Sequence, residues 1–185
     1  MIGQLPTSID INERPFAIRT NYRDILTIIS AFNDPELEDK EKLFVCLYVI
    51  YKNFEGIKPK DYEQAYKEAI RFIDCGEDPK EGRSARLMDW EQDERILFPA
   101  INNVAGFEVR SRKYIHWWTF MGYFMEIHEG VFSHVLSLRQ KKSKNKKLEK
   151  WEQEFWSSNK DLCVLRKRLS KEEQEEKDRL NTLLN

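Results

Sequence analysis

"YIHWWTFMGYFMEIH", residues 114–128, is the densest aromatic stretch of the chain. Its large side chains fall on two helical stripes, the first through Tyr114, Trp118, Met121 and Met125 and the second through Trp117, Phe120, Phe124 and Ile127. Together the stripes cover more than one face, which is typical of a helix buried on most sides or shared between core and interface. We expect mainly core packing. The sharper hypothesis is that aromatic anchors here contact another protein, and its candidate residues are Trp117, Trp118, Phe120 and Phe124.

Composition favours helices around this stretch. The chain has 185 residues, enough for one domain with its own core, and only 7 glycines and 6 prolines. A β-sandwich with many tight turns would use more of both. We therefore expect a mainly α fold, in which residues 1–185 form a single domain: a compact multi-helix bundle with a small N-terminal β-hairpin and a charged C-terminal helical extension.

Residues 1–20 carry the signal for the hairpin. Ile9 and Ile11 share one face of an alternating run, and Phe16 and Ile18 repeat the alternation after a polar turn at Asn12-Glu13. A two-stranded hairpin is barely stable alone, so we expect it to pack against the helices.

Residues 21–140 show helical spacing of apolar side chains and predict a helical core. Start signals for five helices lie at Asn21, Asp34-Pro35, Pro59, Asp89 and about Arg112. Gly76 is the expected stop of the third helix, and Gly130 precedes a further one. Pro99 lies inside the fourth helix, where we expect a kink or a break. The polar residues 77–86 predict a loop.

Residues 141–185 are predicted to form a basic linker and C-terminal helices. The basic run, residues 139–150, contains one acid among the cations Arg139, Lys141, Lys142, Lys144, Lys146, Lys147 and Lys150. It is either a solvated linker or a surface for phosphates or an acidic partner, and the linker is favoured because the acidic C-terminal helix offsets its charge. The candidate contacts are Lys141, Lys142, Lys144, Lys146 and Lys147.

An amphipathic helix is predicted after the basic run. It adds three candidate partner-binding residues, Trp151, Phe155 and Trp156. Leu162, Leu165 and Leu169 follow at helical spacing and are either a seam between subunits or the packing of the helix onto its own domain, so homo-oligomerisation is left open. The spacing of Ser170 and Glu173 is that of a capping box and starts the final helix.

Catalytic, metal and cofactor motifs are not found. The sequence lacks phosphate-loop, dinucleotide and nucleophile-elbow motifs, and "HEGVFSH" spaces its two histidines six residues apart instead of the four of a zinc helix. Cys46, Cys75 and Cys163 are far apart and suit a reducing cytosol. No secretory signal and no apolar run of about 18 residues is present, so we expect a soluble cytosolic protein without a membrane contact, and neither an enzyme nor a cofactor or metal protein.

Several segments resemble one family. "LPTSIDI" and "FAIRTNYRDIL" near the N-terminus, and "DWEQDERILFPAINNVAGFEV", "YIHWWTFMGYFMEI" and "KKLEKWEQEFW" further on, resemble the Gp15-like proteins from phages and prophages of Gram-positive bacteria. The resemblance runs from about Leu5 to Leu184 and is carried chiefly by the opening segments and the aromatic stretch.

The resemblance implies a role in tail assembly. Such proteins are typically encoded between the major tail protein and the tape measure protein of long-tailed phages, where tail assembly chaperones are found. It therefore implies a non-enzymatic factor that binds the tape measure protein, with the major tail protein as a second candidate, in the cytoplasm of the bacterial host, and that is absent from the mature virion. The alternatives are a structural tail component and a helical nucleic-acid-binding protein that uses residues 139–150, although the net charge of −1 makes nucleic acid the less expected partner.

Overall fold

Helices dominate the computed structural model, which describes residues 3–77 and 85–183. Its α-helices are α1 Tyr22–Phe32, α2 Asp39–Ile50, α3 Tyr62–Ile73, α4 Glu94–Ala105, α5 Trp117–Met125, α6 Val131–Ser143, α7 Lys150–Ser158, α8 Lys160–Cys163 and α9 Lys171–Leu183. Short 3₁₀ helices lie at Phe54–Gly56, Pro59–Asp61 and Val109–Ser111. A two-stranded antiparallel sheet, β1 Ser8–Ile11 and β2 Arg14–Ala17, precedes them. The predicted mainly α fold with an N-terminal hairpin is confirmed.

The hairpin closes one side of the core. Ile9 and Ile11 are buried while Ser8 and Asp10 face solvent, and β1 packs against α3. Asn12 and Glu13 form the turn with φ angles of 49° and 63°, the two positive values that a tight hairpin of this twist requires. The Asn12 side chain also donates to Asp61 at 2.9 Å, which fixes the turn on the residue preceding α3.

The chain between β2 and α1 joins distant parts of the core through its backbone. The backbone N–H of Arg19 donates to the Ile50 carbonyl at the end of α2 at 2.7 Å. The Thr20 carbonyl accepts from the backbone N–H of Trp117 at the start of α5, also at 2.7 Å. The helix predicted from Asn21 follows at once, since the Asn21 side chain caps α1. The start of α1 is therefore set by two elements that lie far from it in sequence.

Two adjacent tryptophans donate hydrogen bonds to the C-terminal end of α3. The indole N–H of Trp117 donates to the Ile73 carbonyl at 2.7 Å, and that of Trp118 donates to the Phe72 carbonyl at 2.9 Å. The last carbonyls of a helix have no partner within the helix, so donors from another element stabilise them. Gly76, with φ of 86°, carries the chain away from this end, as the sequence predicts.

Three predicted helix starts are wrong. Asp34-Pro35 forms a turn, and α2 begins later because Glu38 and Glu41 make both hydrogen bonds of a capping box. The Asp89 carboxylate accepts from two backbone N–H groups in a turn, so α4 begins at Glu94. Residues 112–116 are not α-helical, and α5 begins at Trp117 instead of near Arg112.

Of the kink or break predicted at Pro99, the break does not occur, since α4 is continuous from Glu94 to Ala105. Proline removes one backbone hydrogen bond from a helix interior. Burial of Leu97, Phe98 and Ile101 on both sides of Pro99 stabilises the helical conformation against that loss.

Arg139 is a buried side chain that organises the C-terminal half. Its guanidinium donates to both carboxylate oxygens of Asp93, at 2.7 and 2.8 Å, and to the carbonyls of Leu87, Leu162 and Cys163, at 2.9, 2.6 and 3.0 Å. All five N–H donors of the side chain therefore have an acceptor. These bonds connect α6 to the turn before α4 and to the end of α8, and they correct the prediction that Arg139 belongs to a solvated cationic linker.

Half of the basic run, residues 139–150, is helical and not a linker. Helix α6 continues to Ser143 and α7 begins at Lys150, so only residues 144–149 lie between helices. Beside them, Val135, Leu138, Leu148 and Cys163 form a small apolar cluster between α6, α7 and α8, separate from the main core.

An extended segment, residues 164–170, follows α8 and holds the base of α9. Gln92 exchanges two hydrogen bonds of 2.9 Å with the backbone of Arg166, and the Arg168 guanidinium pairs with Asp89 at 3.0 Å. Leu165 and Leu169 lie in this segment and not on a helix, so the predicted helical spacing of Leu162, Leu165 and Leu169 is wrong. Ser170 and Glu173 form the predicted capping box, with bonds of 3.0 and 3.1 Å, and open α9.

No helix within residues 3–77 and 85–183 is both long enough and apolar enough to cross a membrane. The loop predicted at residues 77–86 lies largely outside the described ranges.

Replacing Arg139 by alanine is expected to lower the free energy of unfolding by about 3–5 kcal/mol, because the Asp93 carboxylate then stays buried without its cation. Urea unfolding followed by circular dichroism measures the change. Lys144→Ala, at an exposed position of the same run, is the matched control and should stay within about 0.5 kcal/mol of the wild type. A loss below about 1 kcal/mol for Arg139→Ala would contradict this structural role.

Candidate partner-binding surfaces

Half of the predicted aromatic anchors of α5 belong to the core. Trp117 is 1% exposed and Phe120 is fully buried, with the Phe120 ring stacked on Tyr22 at 4.3 Å between centroids. Trp90 lies against both of them. Their burial corrects the prediction that they contact a partner, because neither side chain presents a surface to solvent.

Trp118 and Phe124 are half-buried. The Trp118 ring packs on Phe72 with centroids 5.9 Å apart, and Phe124 contacts Trp90 and Phe132 at 5.2 and 6.1 Å. Each therefore offers an edge to solvent while most of its ring completes the core. The aromatic stretch of residues 114–128 is thus chiefly a core element.

The α6–α7 surface, formed by His134, Trp151 and Phe155, is more open. Trp151 is 58% exposed and stacks on the His134 ring with centroids 5.2 Å apart, and Phe155 meets the same ring edge-on at 4.6 Å. Trp156 lies at its side, with the Lys142 ammonium 4.2 Å from the ring centroid. The predicted candidates Trp151, Phe155 and Trp156 are thus brought together on one pair of helices.

The lysines predicted to contact phosphates fall into two groups, one paired within the protein and the other exposed. Lys141 pairs with Glu152 at 2.5 Å, whereas Lys142, Lys144, Lys146 and Lys147 are exposed, with Lys142 over the Trp156 ring. Together with the Arg139–Asp93 pair, this places two of the seven cations of the basic run in ion pairs within the protein. The positive charge available for a partner is therefore smaller than the sequence suggests, and it is concentrated after the end of α6.

Glu152 fixes α7 against α6. Its carboxylate accepts from the Lys141 ammonium and from the backbone N–H of Glu149, at 2.5 and 2.9 Å. The hydrogen bond from Lys141, followed by that from Glu149, lowers the pKa of Glu152 below its ordinary value. The ionised carboxylate thereby connects the last turn of one helix to the first turn of the next.

The α2 aromatic patch, formed by Phe44, Tyr48, Phe54 and Tyr62, is not among the surfaces predicted from the sequence. Phe44 and Tyr48 are 51% and 62% exposed and stack with centroids 6.1 Å apart. Phe54 contacts Phe44 at 5.3 Å and Tyr62 at 5.3 Å, so the four rings are contiguous.

A sequence signal for this patch exists in α2 itself. The sequence "LFVCLYVI", residues 43–50, is apolar on every side, and a helix can turn only part of its circumference toward one core. Cys46, Leu47 and Ile50 take the buried side. Phe44 and Tyr48, one turn apart, therefore remain outside.

His116 has a structural role. Its Nδ1 accepts from the Trp118 backbone N–H at 3.1 Å and its Nε2 lies 2.9 Å from the Pro6 carbonyl, which accepts the remaining ring proton. His116 thereby caps α5 and connects it to the N-terminal segment. Nowhere in residues 3–77 and 85–183 do three or more histidine, cysteine or carboxylate side chains form a group that could hold a metal ion.

Comparison with known proteins gives one match. A family model described as Bacteriophage Gp15 protein matches residues 1–165, which include the hairpin and α1 to α8. No curated protein and no solved structure matches the chain.

The Lys141–Glu152 pair predicts a pH dependence. A carboxylate whose pKa is lowered by folding stabilises the protein fully above its ordinary pKa of 4.5, and this contribution is lost as the pH falls through the folded-state pKa. Glu152→Gln should therefore unfold at lower urea than the wild type at about pH 7, and the difference should shrink at about pH 3. Glu154→Gln, at an exposed position of α7, is the control. A difference that is constant over this range would contradict the assignment.

Proposed function

The chain belongs to the bacteriophage Gp15 family, and from this premise we propose that it is a non-enzymatic tail assembly factor that binds the tape measure protein. In this proposal it acts as a chaperone in the cytoplasm of the bacterial host. It covers apolar stripes of the tape measure while tail subunits assemble, and it leaves before the virion is complete.

The observation that carries this proposal is the α2 aromatic patch. Two aromatic side chains more than half exposed, supported by the two further rings of Phe54 and Tyr62, form an apolar surface of the kind that marks protein interaction sites. Phe44 and Tyr48 lie on a helix whose other side is anchored in the core by Leu47 and Ile50. The rings are therefore pre-positioned, and their side chains lose little conformational entropy when a partner binds.

The kind of partner follows from the shape of the patch. Phe44 and Tyr48 are four residues apart on one helix, so they line a strip about one helical turn long. An amphipathic helix that lays its apolar stripe across such a strip buries side chains at the same spacing. The tape measure protein implied by the family is long and helical, and it presents such stripes.

Charge on the rest of the chain suits a solubilising role. Charged residues make up 34% of the sequence and balance to a net charge of −1. A partner whose apolar stripe is covered by the α2 aromatic patch would thus acquire a mixed-charge outer surface, which opposes aggregation.

Co-expression with the tape measure protein encoded in the same phage or prophage tests the function. We expect the two chains to co-purify and the soluble fraction of the tape measure to rise. Absence of both effects would overturn the chaperone proposal. Finding the chain in purified particles at a stoichiometry comparable to that of tail subunits would favour a structural component instead.

The double substitution Phe44→Ser and Tyr48→Ser is expected to weaken tape measure binding at least about tenfold, since exposed aromatic anchors supply a large share of interface energy. Pull-down titration measures the change. Met125→Ser with Val164→Ser removes exposed apolar side chains elsewhere and is the matched control. Equal weakening by both pairs would show that the α2 aromatic patch is not the binding site.

A further inference from the structure

Helix α9 is an exposed arm. All of its described side chains are exposed, including Leu183 at 78%. Helices of about 12–15 residues are marginal in water unless a packed face stabilises them. The helix also lies beyond residues 1–165, the part matched by the family model. A contact outside the described fold is therefore needed to give this helix a packed face.

The base of the arm is fixed to the body. The backbone N–H of Lys171 donates to the Glu36 carboxylate at 2.6 Å, next to the bonds that hold residues 164–170. The arm is about 20 Å long at the rise of an α-helix. A rigid base and an exposed helix present α9 to other molecules in a defined direction.

One face of α9 combines acid and leucine. Glu172, Glu176, Leu180 and Leu183 are spaced by four, four and three residues and share a face, on which Arg179 also lies. The helix as a whole has five acidic and three basic residues. Its acidic face requires a basic surface that also offers an apolar contact.

Such a surface lies on the same chain, between α6 and α7. A cleft of about 360 Å³ is lined by Lys142, Lys146, Leu148, Gln153, Trp156 and Ser157. Lys142 lies over the Trp156 ring, and the exposed Lys144 and Lys147 are close in sequence to the two cleft lysines. We call this the basic cleft. It offers cations for the glutamates of α9 and an aromatic face for its leucines.

We propose that α9 of one copy of the chain docks in the basic cleft of a second copy. Charge complementarity identifies the occupant, because α9 has two more acidic than basic residues whereas the exposed run beside the cleft is cationic. The arm and the cleft are different surfaces, so the contact is head-to-tail and repeats from copy to copy, giving a ring or an open chain. This inference does not depend on the tape measure protein.

Charge reversal on each side tests the contact in the full-length protein. The wild type is expected to associate with rising concentration in analytical ultracentrifugation, and less so at high salt. Lys142→Glu with Lys146→Glu, and separately Glu172→Lys with Glu176→Lys, should each weaken association at least about tenfold. An equimolar mixture of the two variants should associate again, since every arm then meets a cleft of opposite charge.

Controls separate this contact from other interactions. Lys58→Glu with Lys60→Glu makes the same charge change at exposed positions away from the cleft and should leave association intact. The Phe44→Ser and Tyr48→Ser protein should also associate normally, whatever happens to tape measure binding. A chain that is monomeric at low salt, or a mixture that fails to associate, overturns the proposal. Binding of a DNA oligonucleotide that is lost with the cleft lysines in a monomeric chain would assign the cleft to nucleic acid instead.

Discussion

The buried ion pair between Arg139 and Asp93 is the interaction on which the C-terminal half depends. Burying two charges is costly unless geometry and further hydrogen bonds compensate, and here every guanidinium donor has an acceptor. Asp93 also accepts from the backbone N–H of Asp89, whose carboxylate pairs with Arg168. One continuous polar network thus positions α6 against α4 and holds the extended segment that carries α9. Both the basic cleft and the arm owe their placement to it.

Local patterns predicted the parts of the fold that local forces determine. The alternation around Asn12-Glu13, the glycine after α3 and the Ser170 capping box each act within a few residues, and each appears as expected. Arg139 shows what local patterns cannot predict. It stands among lysines in sequence, and its carboxylate partner lies 46 residues away, so no nearby residue distinguishes it from its solvated neighbours. The prediction of where α2 starts failed for another reason. Capping signals at Asp34 and Glu38 lie within five residues of each other, and Glu38 forms both hydrogen bonds of a capping box.

The distribution of aromatic residues explains why the site was harder to predict than the fold. In the dense stretch of α5, the rings satisfy one another and Tyr22, so density itself leads to burial. Exposed rings occur where a helix has more apolar residues than its core contact accepts, as α2 does with Phe44 and Tyr48. The surplus of apolar residues over available core, and not their local concentration, therefore marks the candidate interaction surface.

The indole pair at the end of α3 has a consequence for how the molecule opens. Trp117 and Trp118 supply nitrogen donors to the last carbonyls of a helix more than 40 residues earlier in the chain. Phenylalanine at either position keeps most of the ring but leaves a carbonyl without its donor, so residue identity there is set by one N–H group as well as by size. The last turn of α3 and the first turn of α5 accordingly form one cooperative unit, whose amide protons become exchangeable together.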